Sequence, residues 1–158
     1  MARGLLSGRA SLYQQFFQEL ADVLRSEGLA KTKRGLPQNW LGLGAGRSGF
    51  WYAVVFTRDD KFRVELGIDT GDYDRNKKIF DQLIKEKEEI EKEIGFQLTW
   101  NRLEYARASR IEIYYPKSVT IEDLAEDPEK KKELIKWSID VIKKFKKTLT
   151  PRIKELKI

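Results

Sequence analysis

Apolar residues recur at helical spacing in two long stretches of the chain. In residues 11–27 they repeat every three or four positions, which predicts an amphipathic helix that Gly28 would end. In residues 73–94 the same spacing predicts a second helix, ended by Gly95. Both glycines suit the left-handed conformation in which helices commonly finish.

A third helix is predicted near the carboxyl end. Asp127 is placed to cap it and Pro128 would occupy its first turn. Pro151 is expected to kink or interrupt this helix, because proline lacks the N–H that the helix interior needs. In the first helix, Ser11 and Gln14 have the spacing of a capping box.

Between the helices, alternating and β-branched segments predict five strands. They cover residues 39–45, 50–57, 62–68, 97–105 and 110–115, with a hairpin turn at residues 58–61. The order is α-β-β-β-α-β-β-α. We therefore expect a single α+β domain over residues 1–158, with a mainly antiparallel sheet and its helices packed on one face.

Composition narrows the chemistry. The 158 residues carry a net charge of +6 and contain neither histidine nor cysteine. A basic chain favours nucleic acid as a partner, although a lysine-rich solvated surface explains the charge equally well. Without His or Cys, a metal would be held by oxygen ligands, which suit Mg²⁺ or Mn²⁺. Charged residues make up 35% of the chain, which is typical of heat-adapted proteins.

No stretch has the roughly 20 apolar residues of a membrane span, and residues 1–9 lack an apolar run long enough for a secretory signal. We expect a cytoplasmic protein with no membrane partner.

The glycine-rich stretch of residues 42–49 contains G-x-G-x-x-G from Gly44. A dinucleotide-binding loop would need a helix after it, but a strand is predicted there. Two interpretations remain. The stretch is either a glycine turn between strands, or a turn in which Arg47, Ser48 and free amide groups hold a phosphate.

The third and fifth predicted strands carry the candidate catalytic residues. Glu65 and Asp69 share one face of the third strand, and Glu112 lies on the polar face of the fifth. If the strands share a sheet, Glu65 and Asp69 are predicted metal ligands with Glu112 as the third catalytic carboxylate. Arg63 and Arg110 would then offset charge on a phosphodiester. The alternative is a solvated face with cross-strand Arg–Glu pairs.

Six aromatic residues lie on or beside strands, and we expect at least two to be exposed. They are Trp40, Trp51, Tyr52, Trp100, Tyr105 and Tyr114. Exposed rings could stack on unpaired bases, and Trp51 and Tyr114 are the candidates for this role. The lysines at 143, 144, 146 and 147 form either a solvated helix face or a phosphate track.

The succession of elements is also that of restriction-endonuclease-like folds. Those folds carry Glu-x-Lys on the third strand, whereas this chain has Glu65-Leu66-Gly67, with glycine in place of lysine. Two interpretations therefore remain: the chain cleaves nucleic acid with the help of a metal, or it only binds nucleic acid.

Several segments resemble an uncharacterised bacterial and archaeal domain found behind nuclease-like domains in restriction and defence proteins. They are residues 46–50, 62–66, 80–100 and 108–111. The chain is also similar to small archaeal exonucleases that degrade single-stranded DNA from 3′ to 5′. The resemblance implies an Mg²⁺-dependent exonuclease acting on single-stranded DNA and forming homo-oligomers. The alternative is a non-catalytic nucleic-acid-binding module of a restriction or defence system.

Overall fold

The computed structural model of the chain describes residues 8–158, so residues 1–7 of the predicted domain lie outside the description. Ten elements follow one another: α1 (Gly8–Ser26), β1 (Trp40–Gly44), β2 (Phe50–Phe56), β3 (Phe62–Ile68), α2 (Tyr73–Ile84), α3 (Lys87–Ile94), β4 (Thr99–Asn101), β5 (Ser109–Tyr114), α4 (Ile121–Glu126) and α5 (Pro128–Glu155). The predicted α+β class and the order of helices and strands are confirmed.

The five strands form one sheet in the order β1-β2-β3-β5-β4, with every neighbouring pair antiparallel. The turn between β2 and β3 is the predicted one, and Asp60 adopts a positive φ of 60° within it. Because β5 pairs with β3, the predicted third and fifth strands do lie side by side. This adjacency positions the candidate site.

One face of the sheet is the core. Tyr52, Val64 and Ile111 point into it from three strands and are fully buried. Phe145 of α5 packs against Tyr52, with ring centroids 6.1 Å apart. Helices α1, α2 and α5 contact the sheet, while α3 and α4 pack on other helices. The opposite face of the sheet carries no helix within residues 8–158, as predicted.

Two predicted elements are shorter than expected. The predicted helix over 73–94 breaks into α2 and α3, because the N–H of Glu86 bonds the carbonyl of Leu83 three residues back and turns the chain. The fourth strand covers only Thr99–Asn101, since the chain beyond it wraps around the ammonium group of Lys77.

One local prediction about a helix end is wrong, and of the kink or interruption predicted at Pro151 the interruption does not occur. Helix α1 includes residues before Ser11, whose hydroxyl accepts from the Gln15 amide, so Ser11 and Gln14 do not form a capping box. Helix α5 runs through Pro151 without interruption. Pro151 has no N–H to donate to the carbonyl of Lys147. In the same turn the Arg152 guanidinium donates to the neighbouring Thr148 carbonyl at 2.8 Å. Asp127 does cap α5.

Candidate functional site

The uncovered face of the sheet, called the open face below, presents a regular grid of side chains. Strand register aligns three rows across β1, β2, β3 and β5. The first row is Trp40, Val55, Arg63 and Tyr114; the second is Gly42, Ala53, Glu65 and Glu112; the third is Gly44, Trp51, Gly67 and Arg110. Aromatic and charged groups thus flank a central row of small residues and carboxylates.

Glu65 and Glu112 lie directly opposite each other at the centre of the open face. They are 5% and 0% exposed, because neighbouring side chains cover them. Arg63 Nε donates to Glu65 Oε1 at 2.9 Å and lies 3.4 Å from Glu112 Oε2. The structure therefore brings together two of the three predicted carboxylates, bridged by one guanidinium.

Two further groups hold Glu112. Arg110 Nε donates to its Oε2 at 2.9 Å, and the Tyr114 hydroxyl donates to its Oε1 at 3.3 Å. Burial raises the pKa of Glu65 above its usual value, although Arg63 opposes the shift. Burial alone would lower the pKa of Arg63, but its two carboxylate partners more than offset this and the pKa rises. The cluster is a tightly coupled set of buried charges.

Asp69 does not join this cluster. It follows β3 and accepts three hydrogen bonds from Arg107, two from Nε at 2.9 and 3.1 Å and one from Nη2 at 2.9 Å. It also accepts from the Gly71 amide and the Asn76 side chain. The Arg107 hydrogen bond is the main cause that lowers the pKa of Asp69 to about 2. Asp69 shapes the turn into α2.

The carboxylates do not fit a divalent ion in the way the sequence predicted. No group of three or more acidic side chains within residues 8–158 is placed to hold a metal. Glu65 and Glu112 face guanidinium groups where a cation would need to sit. Two further carboxylates, Asp59 and Asp60, lie in the β2–β3 turn, where Asp59 accepts a hydrogen bond from the Thr57 hydroxyl and so stabilises the turn. Dependence on Mg²⁺ or Mn²⁺ stays a prediction.

Two tryptophans lie across the open face on glycines. A Cβ on Gly67 would sit 2.0 Å from the Trp51 ring, so the indole rests directly on the β3 backbone. A Cβ on Gly42 would sit 3.1 Å from the Trp40 ring. This is the physical reason why glycine occupies position 67, where the restriction-endonuclease pattern has lysine. Trp40 is 46% exposed and Tyr105 fully exposed, so the prediction of two exposed aromatics is confirmed.

A cavity of about 650 Å³ lies between these tryptophans. Its wall is largely apolar, with glycine and alanine on its floor. Charged groups reach it only at one end, where Arg63 and Glu65 line it. A volume of about 650 Å³ lies in the range of small-molecule sites.

A segment of three cations, Lys31, Lys33 and Arg34, follows the outer edge of β1 and is called the basic segment below. The Thr32 hydroxyl donates to the Gly42 carbonyl at 3.4 Å, which fixes the segment along the edge of β1. Arg25 holds it from α1 by donating to the carbonyls of Thr32 and Lys33. All three cationic side chains are exposed, and among the described residues they have no ion-pair partner.

Arg47 and Ser48 lie away from the open face, in the turn between β1 and β2. Arg47 Nη1 donates to the carbonyls of Ile153 and Leu156, at 2.9 and 2.7 Å, and so closes the end of α5. Ser48 is exposed in the same turn. The glycine turn is therefore built around a helix end, and Arg47 is engaged within the protein.

The lysines at 143, 144, 146 and 147 of α5 make contacts with different parts of the protein. Lys143 pairs with Glu27, Lys144 lies 4.7 Å from the Phe96 ring centroid, and Lys146 donates to the Leu29 carbonyl. Such separate contacts do not form a continuous phosphate track. The run lies among the helices, away from the open face.

Lys77 is a structural residue that sequence reasoning missed. It is 3% exposed, and its ammonium donates to the carbonyls of Arg102, Leu103, Ala106 and Ala108 at 2.7–2.9 Å and to the Ser109 hydroxyl at 3.0 Å. A lysine inside an amphipathic helix is normally assigned to solvent. Only its position on the apolar stripe beside Phe80 could have signalled burial.

These features define an α+β protein with one uncovered sheet face. The chain belongs to the family described as domain of unknown function (DUF4268), whose pattern matches residues 12–153. Comparison with curated proteins found no match, and neither did comparison with solved structures. Among the helices of residues 8–158, none has the length and apolar character needed to cross a membrane.

Proposed function

We propose that the chain is a nucleic-acid-binding module that holds single-stranded DNA on the open face of its sheet. The observation that carries the proposal is a pair of tryptophans resting on glycines of the open face, beside an edge whose three cations have no ion-pair partner among residues 8–158. The bases of a single strand stack on aromatic rings, and its phosphates are attracted to cations, so a single strand uses both surfaces. Under this proposal the protein acts on nucleic acid in the cytoplasm.

The bases would stack on the tryptophans. Trp40 exposes nearly half of its surface, and Trp51 is immobilised on Gly67. Stacking on an aromatic ring contributes about 1–3 kcal/mol per base and tolerates any sequence. A duplex hides the faces of its bases, so the open face favours single strands.

The phosphates would follow the basic segment. Within the open face the charges of Arg63 and Arg110 are offset by Glu65 and Glu112, so this face attracts a polyanion weakly. The basic segment has no such compensation among the described residues. The predicted phosphate contact through Arg110 remains part of the proposal, because only its Nε is engaged by Glu112.

The test is a titration of a labelled single-stranded oligonucleotide with the protein and with Trp40→Ala. Loss of one stacked base should weaken binding roughly tenfold. Phe96→Ala is the matched control, because Phe96 is also 46% exposed but lies beside Lys144 on the helical side. Equal effects of the two variants, or equal affinity of the parent for duplex and single strand, would overturn the proposal.

A second candidate is the exonuclease that degrades single-stranded DNA from 3′ to 5′. The observation in its favour is the pair of buried carboxylates, Glu65 and Glu112, at the centre of the same face. Incubation of the protein with end-labelled DNA, with Mg²⁺ or Mn²⁺ and with EDTA, tests it. Metal-dependent shortening that Glu65→Gln abolishes would support the exonuclease, and intact DNA would leave the binding module as the proposed function.

Light scattering tests the proposed homo-oligomer.

A further inference from the structure

Glu65 lines the cavity between the tryptophans with a carboxylate that is only partly engaged by the protein. Its Oε1 accepts from Arg63, whereas Oε2 has no hydrogen-bond partner among residues 8–158. The side chain is 5% exposed and lines the cavity. No buried side-chain oxygen among residues 8–158 lacks a hydrogen-bond partner, so Oε2 is reached by solvent and is available to the N–H of a ligand in the cavity.

Arg63 places a donor next to this acceptor. Its Nε serves the two carboxylates and its Nη1 donates to the Tyr114 hydroxyl at 3.4 Å. Nη2 has no partner among the described residues, and Arg63 also lines the cavity. The polar end of the cavity therefore offers one acceptor and one donor side by side, against otherwise apolar walls.

We propose that this cavity takes a nucleobase carrying an exocyclic amino group, with Glu65 Oε2 accepting from the amine and Arg63 donating to the neighbouring ring acceptor. The inference rests on the proposed binding of single strands. Cytosine and adenine both place an amine beside a ring nitrogen. Thymine can place its only N–H on Oε2 and one carbonyl oxygen on Arg63, but its second carbonyl oxygen then lies against the carboxylate with like partial charge.

Glu112 gives an internal comparison. It lies directly opposite Glu65 on the same face but is completely buried, and both of its oxygens have donors. It does not line the cavity. Glu65 is therefore the recognising carboxylate and Glu112 the one that holds the arginines in place.

The experiment measures affinity for oligo(dC), oligo(dT) and an oligonucleotide of 2-pyrimidinone, which is cytosine without its amine, all of equal length. The parent protein should prefer oligo(dC) roughly tenfold over both others. In Glu65→Gln the acceptor is replaced by an amide that also donates, so the preference should fall to within about twofold. Asp140→Asn, on the exposed side of α5, is the control and should keep the preference.

The outcomes separate the two proposals. Equal binding of oligo(dC) and the 2-pyrimidinone oligonucleotide by the parent overturns base recognition and leaves single-strand binding standing. This comparison uses the unaltered protein, so it holds even where Glu65→Gln fails to fold. Absence of binding to every oligonucleotide overturns both proposals. A preference that survives in folded Glu65→Gln would also overturn the role of Glu65.

Discussion

At the scale of single residues, Gly67 shows how a missing side chain shapes the open face. The Trp51 indole occupies the space that a Cβ would fill, with ring atoms 2.0–2.5 Å from the ideal Cβ position. Backbone freedom is not the reason for this glycine, because it lies within the regular pairing of β3. Glycine is needed here for close approach.

Gly67→Ala is therefore expected to displace the Trp51 ring. We expect a loss of about 1–3 kcal/mol in the free energy of unfolding, as for overpacking, together with a change in tryptophan fluorescence. Gly44→Ala is the control, because it lies in the same row and its added Cβ would meet nothing within 4 Å. Denaturant unfolding of both variants decides the matter. Equal stabilities would mean that Trp51 is free to leave Gly67.

Asp69 predicts a specific dependence of stability on pH. Its folded pKa of about 2 lies below the usual value near 3.9. A carboxylate with a lowered pKa stabilises the fold above its unfolded pKa, and this contribution is lost as pH falls from about 4 towards 2. Asp69→Asn should cost about 1–2 kcal/mol at pH 7 and progressively less between pH 4 and pH 2.

Urea unfolding of the parent and Asp69→Asn across this pH range measures the difference. Asp140→Asn, on the exposed side of α5, serves as the control. A difference that stays constant down to the lowest pH would show that Asp69 acts through shape rather than charge.

At the scale of elements, the buried ammonium of Lys77 organises the connection between β4 and β5. Five oxygens from residues 102–109 surround it within 3.0 Å, and the Tyr73 ring lies 4.7 Å away. Leu103 adopts a positive φ of 58° in this connection. The lysine thus replaces a strand ladder with a ring of carbonyls, which explains why β4 is short.

Lys77→Met should leave these carbonyls without a donor. We expect the free energy of unfolding to fall by roughly 2–4 kcal/mol, because unsatisfied buried polar groups are costly. Cleavage by a protease near the fully exposed Tyr105 should also become faster. Lys78→Met is the matched control, since Lys78 is exposed on the same helix. Unchanged protease resistance in Lys77→Met would contradict this role.

Elements with a clear period were predictable from the sequence, and long-range polar contacts were not. The alternation of apolar and polar residues predicted β3 with its observed bounds. The positions of Glu65 and Glu112 within that alternation correctly put both residues on one face of the sheet. Parity also put Asp69 there, but β3 ends at Ile68 and Asn76 and Arg107 draw Asp69 away. Pairing with Arg107 depends on a turn whose shape no periodic pattern encodes.

At the scale of the whole molecule, charge is separated by surface. The open face offsets two arginines with two glutamates, while the basic segment at its edge has no acidic partner among the described residues. The overall charge of +6 alone would attract polyanions everywhere. The separation instead predicts that attraction is concentrated beside the stacking surface.

The salt dependence of binding therefore tests whether phosphates are bound at the basic segment. Each phosphate contact with a single strand should lower the slope of log affinity against log salt by about 0.7. Contacts from Lys31, Lys33 and Arg34 should together contribute a slope of about −2, and changing all three to glutamine should remove that contribution. Changing Lys130, Lys136 and Lys147 on α5 removes the same charge from the helical side and should leave most of the slope. If both triple variants flatten the slope equally, net charge governs binding and the basic segment has no special role.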